Sequence, residues 1–308
     1  MAHLVELRQR ITAVENIQTI TRTLATVAGA KLSRTRRRAA GLRVYAAAIR
    51  EMVLHQQAWL AETGLGIGAL SPLLRQRDPV RRIALVVLTS DRGMCGGYNL
   101  EACRSALQFW ERRVKVGQEV AFVLKGRKGA DYFRRRHAPV IHREPWRRGG
   151  VGRDDVERLL NLVLGRYRAG AVDEVYAAYT EYFSPVQRRP RVVRILPVAL
   201  PGGTDAAIPD ASAERWHHEP GLAAVIDDLL AVYLRVQVWD LLLESYASEQ
   251  GARMITMEEA TERAETTLQE CRVLHNRLRR EAITTDLLGV LFASRAVEAG
   301  ASPAGEPR

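Results

Sequence analysis

Residues 89–97, Thr-Ser-Asp-Arg-Gly-Met-Cys-Gly-Gly, follow a short apolar run and precede an amphipathic one, the position where an α/β fold places a phosphate-binding loop. Gly93, Gly96 and Gly97 match neither G-x-G-x-x-G nor G-x-x-x-x-G-K-[ST], and no lysine stands where a phosphate would need its counter-charge. The loop therefore reads as a tight structural or contact turn. Cys95 beside Arg92 could be an activated thiol, but His55 and His137, the nearest histidines in sequence, make no Cys/His signature, so an inert cysteine is expected. Cys103 and Cys271 complete an odd count of 3 without C-x-x-C spacing, which suggests neither a zinc site nor a disulfide framework. His217 and His218, and the pair His137 and His142, lack the carboxylate partners of a metal site. Glu258, Glu259, Glu262 and Glu265 stand amid Arg253 and Arg263 on a long helical pattern, where charge pairing explains them better than acid/base work. No catalytic residue, cofactor or metal is expected.

The elements that would position these residues are unusual. Proline is missing from residues 1–71 and again from 221–302, while apolar residues recur every three or four positions through both stretches. Leu4, Leu7, Ile11, Val14, Ile17, Ile20, Leu24 and Val27 form one stripe; Leu222, Val225, Leu229, Val232, Val236, Trp239, Leu243 and Tyr246 open another. From Ala247 through Met254, Met257, Thr261, Ala264, Leu268, Cys271 and Leu278 the second stripe becomes heptad-like but thin, since small and polar residues dilute it. At 1.5 Å per residue these would be helices of roughly 85 and roughly 120 Å. The expected divisions are an N-terminal shaft helix over 1–62, an α/β domain over 75–205, a C-terminal shaft helix over 211–298 and a tail over 299–308.

Between the helices the period changes. Residues 83–88, 120–124, 172–182 and 191–198 are apolar and β-branched runs, with helical patterns at 100–113, after 125–129, and at 154–169. Alternation of this kind predicts an α/β fold: a long antiparallel coiled coil of terminal helices with an inserted small, Rossmann-like domain on a largely parallel sheet. Pairing Leu60 with Arg215 would set Leu4 opposite about Cys271, leaving a lone helical end that carries Leu278, Ile283, Leu287, Leu288, Val290, Leu291 and Phe292. So much apolar surface implies a sleeve supplied by another protein, with fold-back or homodimerisation as the alternative.

The net charge of +11 implies an anionic partner, and the run Lys31, Arg34, Arg36, Arg37 and Arg38 is either a solvated helix face or an electrostatic contact. A basic coiled-coil scaffold or nucleic-acid-binding protein stays open on this ground alone. No stretch approaches the ~20 apolar residues of a membrane span, and neither a signal peptide nor a transit peptide is expected at the N-terminus.

Three separated segments carry a resemblance to a known family. Ile20-Thr21-Arg22 with Val27-Ala28-Gly29-Ala30-Lys31-Leu32, the loop from Thr89 to Asn99, and Ala247-Ser248-Glu249-Gln250-Gly251-Ala252-Arg253-Met254 with Asn276, Arg279, Ala282, Ile283, Thr284 and Leu287 resemble the gamma subunit of bacterial F-type ATP synthases. The resemblance implies a non-catalytic rotor shaft that couples ion-driven rotation of a membrane c-ring to ATP synthesis or hydrolysis. Its partners would be the alpha and beta subunits, an epsilon subunit and the c-ring, without nucleic acid, small-molecule substrate or cofactor. It would work peripherally, at the cytoplasmic face of the bacterial inner membrane. Lys31, Arg34, Arg36, Arg92, Cys95, Glu249, Arg253, Arg279, Ile283, Thr284 and Leu287 match positions expected to touch other subunits, with Arg253 read as an exposed helix arginine. Leu24 and Thr26 replace the family's methionines and Thr285-Asp286 its Gln-Glu, departures that leave room for a divergent second-copy rotary ATPase.

Overall fold

The computed structural model describes residues 2–63, 71–147, 149–199 and 222–300. The elements run α1 (Ala2–Thr63), β1 (Arg82–Leu88), α2 (Tyr98–Lys115), β2 (Glu119–Lys125), α3 (Arg127–Arg134), β3 (Val140–Glu144), α4 (Arg153–Arg168), β4 (Glu174–Tyr182), β5 (Arg188–Leu196) and α5 (Leu222–Gly300). Both long helices exist as the periodicity predicts. The proposed linker at 201–203 and the expected start of the last helix near 211 lie outside the described residues.

Contacts divide the chain into two compact units, Ala25–Thr256 and the pair Met1–Leu24 with Met257–Arg308. The first holds the sheet. Its strand order is β3-β2-β1-β4-β5, with β1 parallel to β2 and β4, β2 parallel to β3, and only β5 antiparallel, against β4. β1 is central, and all its residues after Arg82 are buried, which is why it reads as an uninterrupted apolar run rather than an alternation. Ile83, Leu85 and Val87 face a core shared with Cys103, Ala106, Phe122 and Phe133, beneath α2 and α3. Ala84, Val86 and Leu88 face the other way, into a core with Val156, Leu160 and Val163 of α4 and Leu230, Leu234, Val238 and Leu242 of α5. The last helix thus serves as a covering layer of the sheet. On α1 the buried positions Ala28, Leu32, Thr35, Ile49 and Val53 keep helical spacing along its own buried stripe.

Two readings need correction here. Strand β3 was not expected: Val-Ile-His-Arg-Glu is short, charged and mostly exposed, as befits an edge strand, so it lacks an apolar signal. Helix α3 begins at Arg127, inside the stretch expected to be a loop.

In the second unit the helices pair antiparallel. Thr261 Oγ1 donates to Thr21 Oγ1 at 2.7 Å, and Arg272 meets Glu15 at 2.8 Å. Leu7, Ala264, Leu268 and Cys271 are buried along this seam. The register is two to three helical turns further along than the Leu60–Arg215 pairing gave. Cys271 is therefore paired rather than at the start of the lone end. The offset arose from assuming a helix start near 211, in residues outside the description.

Candidate contact surfaces

The loop at 89–97 is built into α5. Ser90 Oγ donates to the Arg92 carbonyl at 2.6 Å, its backbone N–H donates to Asn99 Oδ1 at 2.8 Å, and the Asn99 amide returns to Ser90 Oγ at 2.8 Å. This small ring closes the turn and drives Cys95 inward, where it forms a buried cluster with Tyr98 and Ala252. Gly96 has φ +54, and a Cβ there would lie 2.9 Å from Thr256 Oγ1, so both conformation and space require glycine. Tyr98, fully buried, shares a 2.8 Å hydrogen bond with Ser245.

Across this junction α5 is buried on all sides from Ser245 to Ala252, although Ser245, Ser248, Glu249 and Gln250 are polar. Each has a partner. Ser248 Oγ donates to the Thr180 carbonyl of β4 at 2.9 Å, and Gln250 Nε2 donates to Glu249 Oε1 at 3.1 Å. Arg253 forks: Nη1 donates to Glu249 Oε1 at 2.7 Å, while Nη2 donates to the carbonyls of Arg92 and Gly93 at 3.2 and 3.3 Å. The guanidinium thus staples the loop to the helix. Burial raises the Glu249 carboxyl above its ordinary range, and the Arg253 charge and hydrogen bond only partly oppose it. Burial likewise raises the Cys95 thiol, with the Ser90 hydrogen bond the largest opposing influence, so this cysteine is an unreactive packing group.

These positions correct the reading of Arg253 as an exposed helix arginine. The Arg253 side chain is 12% exposed and Glu249 7%, so Arg253 is not an exposed helix arginine and Glu249 faces the interior of its own chain. Cys95 is 1% exposed. What the loop presents outward is Met94, 62% exposed, with Arg92 beside it. The basic run on α1 is exposed as drawn: Lys31, Arg34, Arg36 and Arg37 stand outward, and Arg36 also lies over the Tyr182 ring at 5.9 Å. Arg38 is tied back, its Nη1 donating to the Val151 carbonyl at 3.3 Å. Sequence reasoning missed Tyr98, Ser245 and Ser248. For Ser245 and Ser248 the signal was the run of small and polar residues interrupting the apolar stripe of α5; Tyr98, on α2, gave none.

The second surface belongs to the other unit. Arg279 and Thr284 are exposed there, and Ile283, Leu287, Leu288, Val290 and Phe292 are between 48 and 69% exposed. Exposure of so many large apolar groups on one helical turn after another is expensive in water. Among the described residues no group of His, Cys, Asp and Glu could hold a metal ion, and no helix is long and apolar enough to cross a membrane.

A junction stapled from within, together with an exposed apolar helix end, describes a chain built to make contacts with other chains. Comparison with known proteins agrees: a family model for ATP synthase matches residues 3–297. The ATP synthase gamma chain of Sorangium cellulosum is 33% identical over 97% of this chain and all of its own length, and that of Geobacter sp. strain M21 is 34% identical over the same shares. The chain belongs to the ATP synthase gamma-chain family. Its fold also matches chains in structures of the Euglena gracilis mitochondrial ATP synthase, with a TM-score of 0.63 at 14% identity over 100% of this chain and 98% of that one. The central stalk of the Tetrahymena thermophila enzyme gives 0.58 at 18% identity, covering 78% of this chain and 99% of that one.

Proposed function

We propose that this chain is the central rotor shaft of an F-type ATP synthase, turning within a hexamer of alpha and beta subunits and joined at its other end to epsilon and a membrane c-ring. It makes and breaks no covalent bond. Coupling follows from asymmetry: a shaft whose sides differ offers each surrounding catalytic subunit a different set of contacts at any angle, and so a different nucleotide affinity. Rotation exchanges those affinities in turn, and by linkage nucleotide turnover biases the angle. In that role the chain would work peripherally, at the cytoplasmic face of the bacterial inner membrane.

The observation that carries this reading is the exposed apolar run from Ile283 to Phe292, which needs a sleeve from another protein. In the rotor that sleeve is the apolar bearing of the hexamer. Arg279, Ile283, Thr284 and Leu287 would turn in or near it, while Lys31, Arg34 and Arg36 would meet acidic segments of beta. Arg92 and Met94 would present the stapled loop, which Cys95, Glu249 and Arg253 hold from behind.

Co-expression with alpha and beta subunits tests the proposal. The full chain should co-purify with them and raise their multi-site ATP hydrolysis, whereas a chain truncated before Ile283 should assemble more weakly or lose coupling with its α/β domain still folded. Unchanged assembly and torque in the truncated form would refute the sleeve.

A further inference from the structure

Among the described residues, α1, α5 and the turn between β4 and β5 border a groove of about 550 Å³, all of it within the unit Ala25–Thr256. Its floor is apolar, with Leu32 and Ala39 from α1 and Leu243 and Ala247 from α5. The walls are not. Arg36, Arg37 and Arg43 line it from α1, all three exposed, and none has a carboxylate within 4.0 Å among the described residues. Arg36 and Arg43 stand two helical turns apart on one face, roughly 10 Å, with Arg37 beside the first. From the turn, Phe183 presents a ring that is 52% exposed. The hydroxyl of Tyr182, in the same wall, is shut off from water and has no hydrogen-bond partner among the described residues, an unsatisfied donor that an anion's oxygen would serve.

Glu244 is the one acid lining the groove among the described residues. Asp240 of its own helix, Glu181 and Tyr179 of β4, and Arg43 of α1 face it. Burial first, and then the two neighbouring acids, push its carboxyl up to about 7, against the opposing pull of Arg43 and the Tyr179 hydrogen bond. At neutral pH this carboxyl is only half charged. The groove thus sets three cations against at most one anion.

We infer that this groove binds a nucleoside diphosphate or triphosphate, with its phosphates on Arg36, Arg37 and Arg43 and its base against Phe183. Guanidinium forks match phosphate oxygens, and three of them along two helical turns call for more than one phosphate. The exposed ring at the groove's edge supplies a stacking face. The volume falls in the range of small-molecule sites, roughly 300–1,000 Å³, whereas an acidic helix, about 10 Å across, is too thick to enter. The site is separate from the loop at 89–97, and of its residues only Arg36 belongs to the surface proposed above to face beta. The inference does not use the rotor role, since it is read on this chain alone.

Calorimetric titration of the full chain with ATP, in buffer free of divalent cations, tests it, with adenosine supplying the ring alone and tripolyphosphate the charge alone. ATP should bind saturably at one site, and each fragment at least about tenfold more weakly. At about tenfold per charge-assisted contact, Arg37→Gln with Arg43→Gln should weaken ATP about a hundredfold. Arg34→Gln with Arg50→Gln, equally exposed on α1 but outside the groove, should change it by less than about threefold. Phe183→Ala should cost ATP about tenfold and leave tripolyphosphate unaffected, a split that general damage to the fold would not give. At pH 8 Glu244→Gln should bind ATP about fivefold more tightly than the native chain, and the two should converge near pH 6, where the native carboxyl is neutral. Absence of saturable ATP binding, tripolyphosphate binding as tight as that of ATP, or equal losses in the two arginine pairs would overturn the inference. So would capture of an acidic peptide by a chain that does not bind ATP.

Discussion

Replacing Arg253 by alanine separates a stapling arginine from a surface one. In the native chain the guanidinium neutralises Glu249 at 2.7 Å, and the Glu249 side chain is only 7% exposed. Removing one partner of a buried pair costs about 3–5 kcal/mol, because the remaining charge is stranded. The two loop carbonyls at 3.2 and 3.3 Å add about 1 kcal/mol. Glu249 can instead take up a proton, which holds the expected loss near the lower bound, about 3 kcal/mol at neutral pH. The pH dependence has a definite sign. Burial already raises this carboxyl above its usual 4.5, with Arg253 the largest influence pulling it down, so the substitution raises it further. A carboxyl raised on folding adds no penalty below its unfolded pKa and a growing one above it. The variant should therefore be most destabilised at about pH 8 and recover much of the loss by about pH 5. Urea unfolding followed by tryptophan fluorescence reads this, since Trp146 lies 6.0 Å from Tyr246 in the same junction. A loss under about 1 kcal/mol, flat with pH, would refute the staple and return Arg253 to the role of a contact residue.

Glycine at position 29 is a weakness in α1 rather than a requirement. A Cβ there would meet Met254 Sδ at 3.2 Å, and that flexible thioether can shift, so Gly29→Ala should raise the free energy of urea unfolding by up to about 1 kcal/mol through helix propensity. Glu244 is pushed up to about 7, first by burial and then by Asp240 and Glu181. Its charge therefore costs stability that is absent below about pH 4.5 and complete above about pH 7. Glu244→Gln should stabilise by about 1 kcal/mol at pH 8, after allowing for its partial exposure, with the gain vanishing in acid; a constant gain across pH would contradict this. Finally, Leu287→Asp with Phe292→Ser should leave the thermal unfolding of the free chain within about 0.5 kcal/mol of native, since both side chains are exposed, while weakening assembly with alpha and beta subunits. A loss of chain stability instead would mean that this stretch folds back on its own chain.

Much of the architecture was legible in the residues because its signals are local. Absence of proline and an unbroken three-four spacing favour long helices, and the β-branched run from Ile83 to Leu88, ended by turn residues, reads as a strand buried on both faces. Edge strand β3 escaped because exposed edges need no apolar pattern. The helix pairing register was misjudged because it depends on where each helix begins, a matter decided by packing rather than period.

The residues of the stapled junction show the division most clearly. Their types and order identify the segments that matter: Thr89 to Gly97, and Ala247 to Met254. Whether Cys95, Glu249 and Arg253 turn outward or inward is a different kind of fact. A helix offers its side chains to every direction, and only the neighbours brought in by β4, α1 and the β1–α2 loop decide which of those directions are closed to water. Solvation, and with it the worth of each charge and hydrogen bond, belongs to the assembled chain and not to the order of its residues.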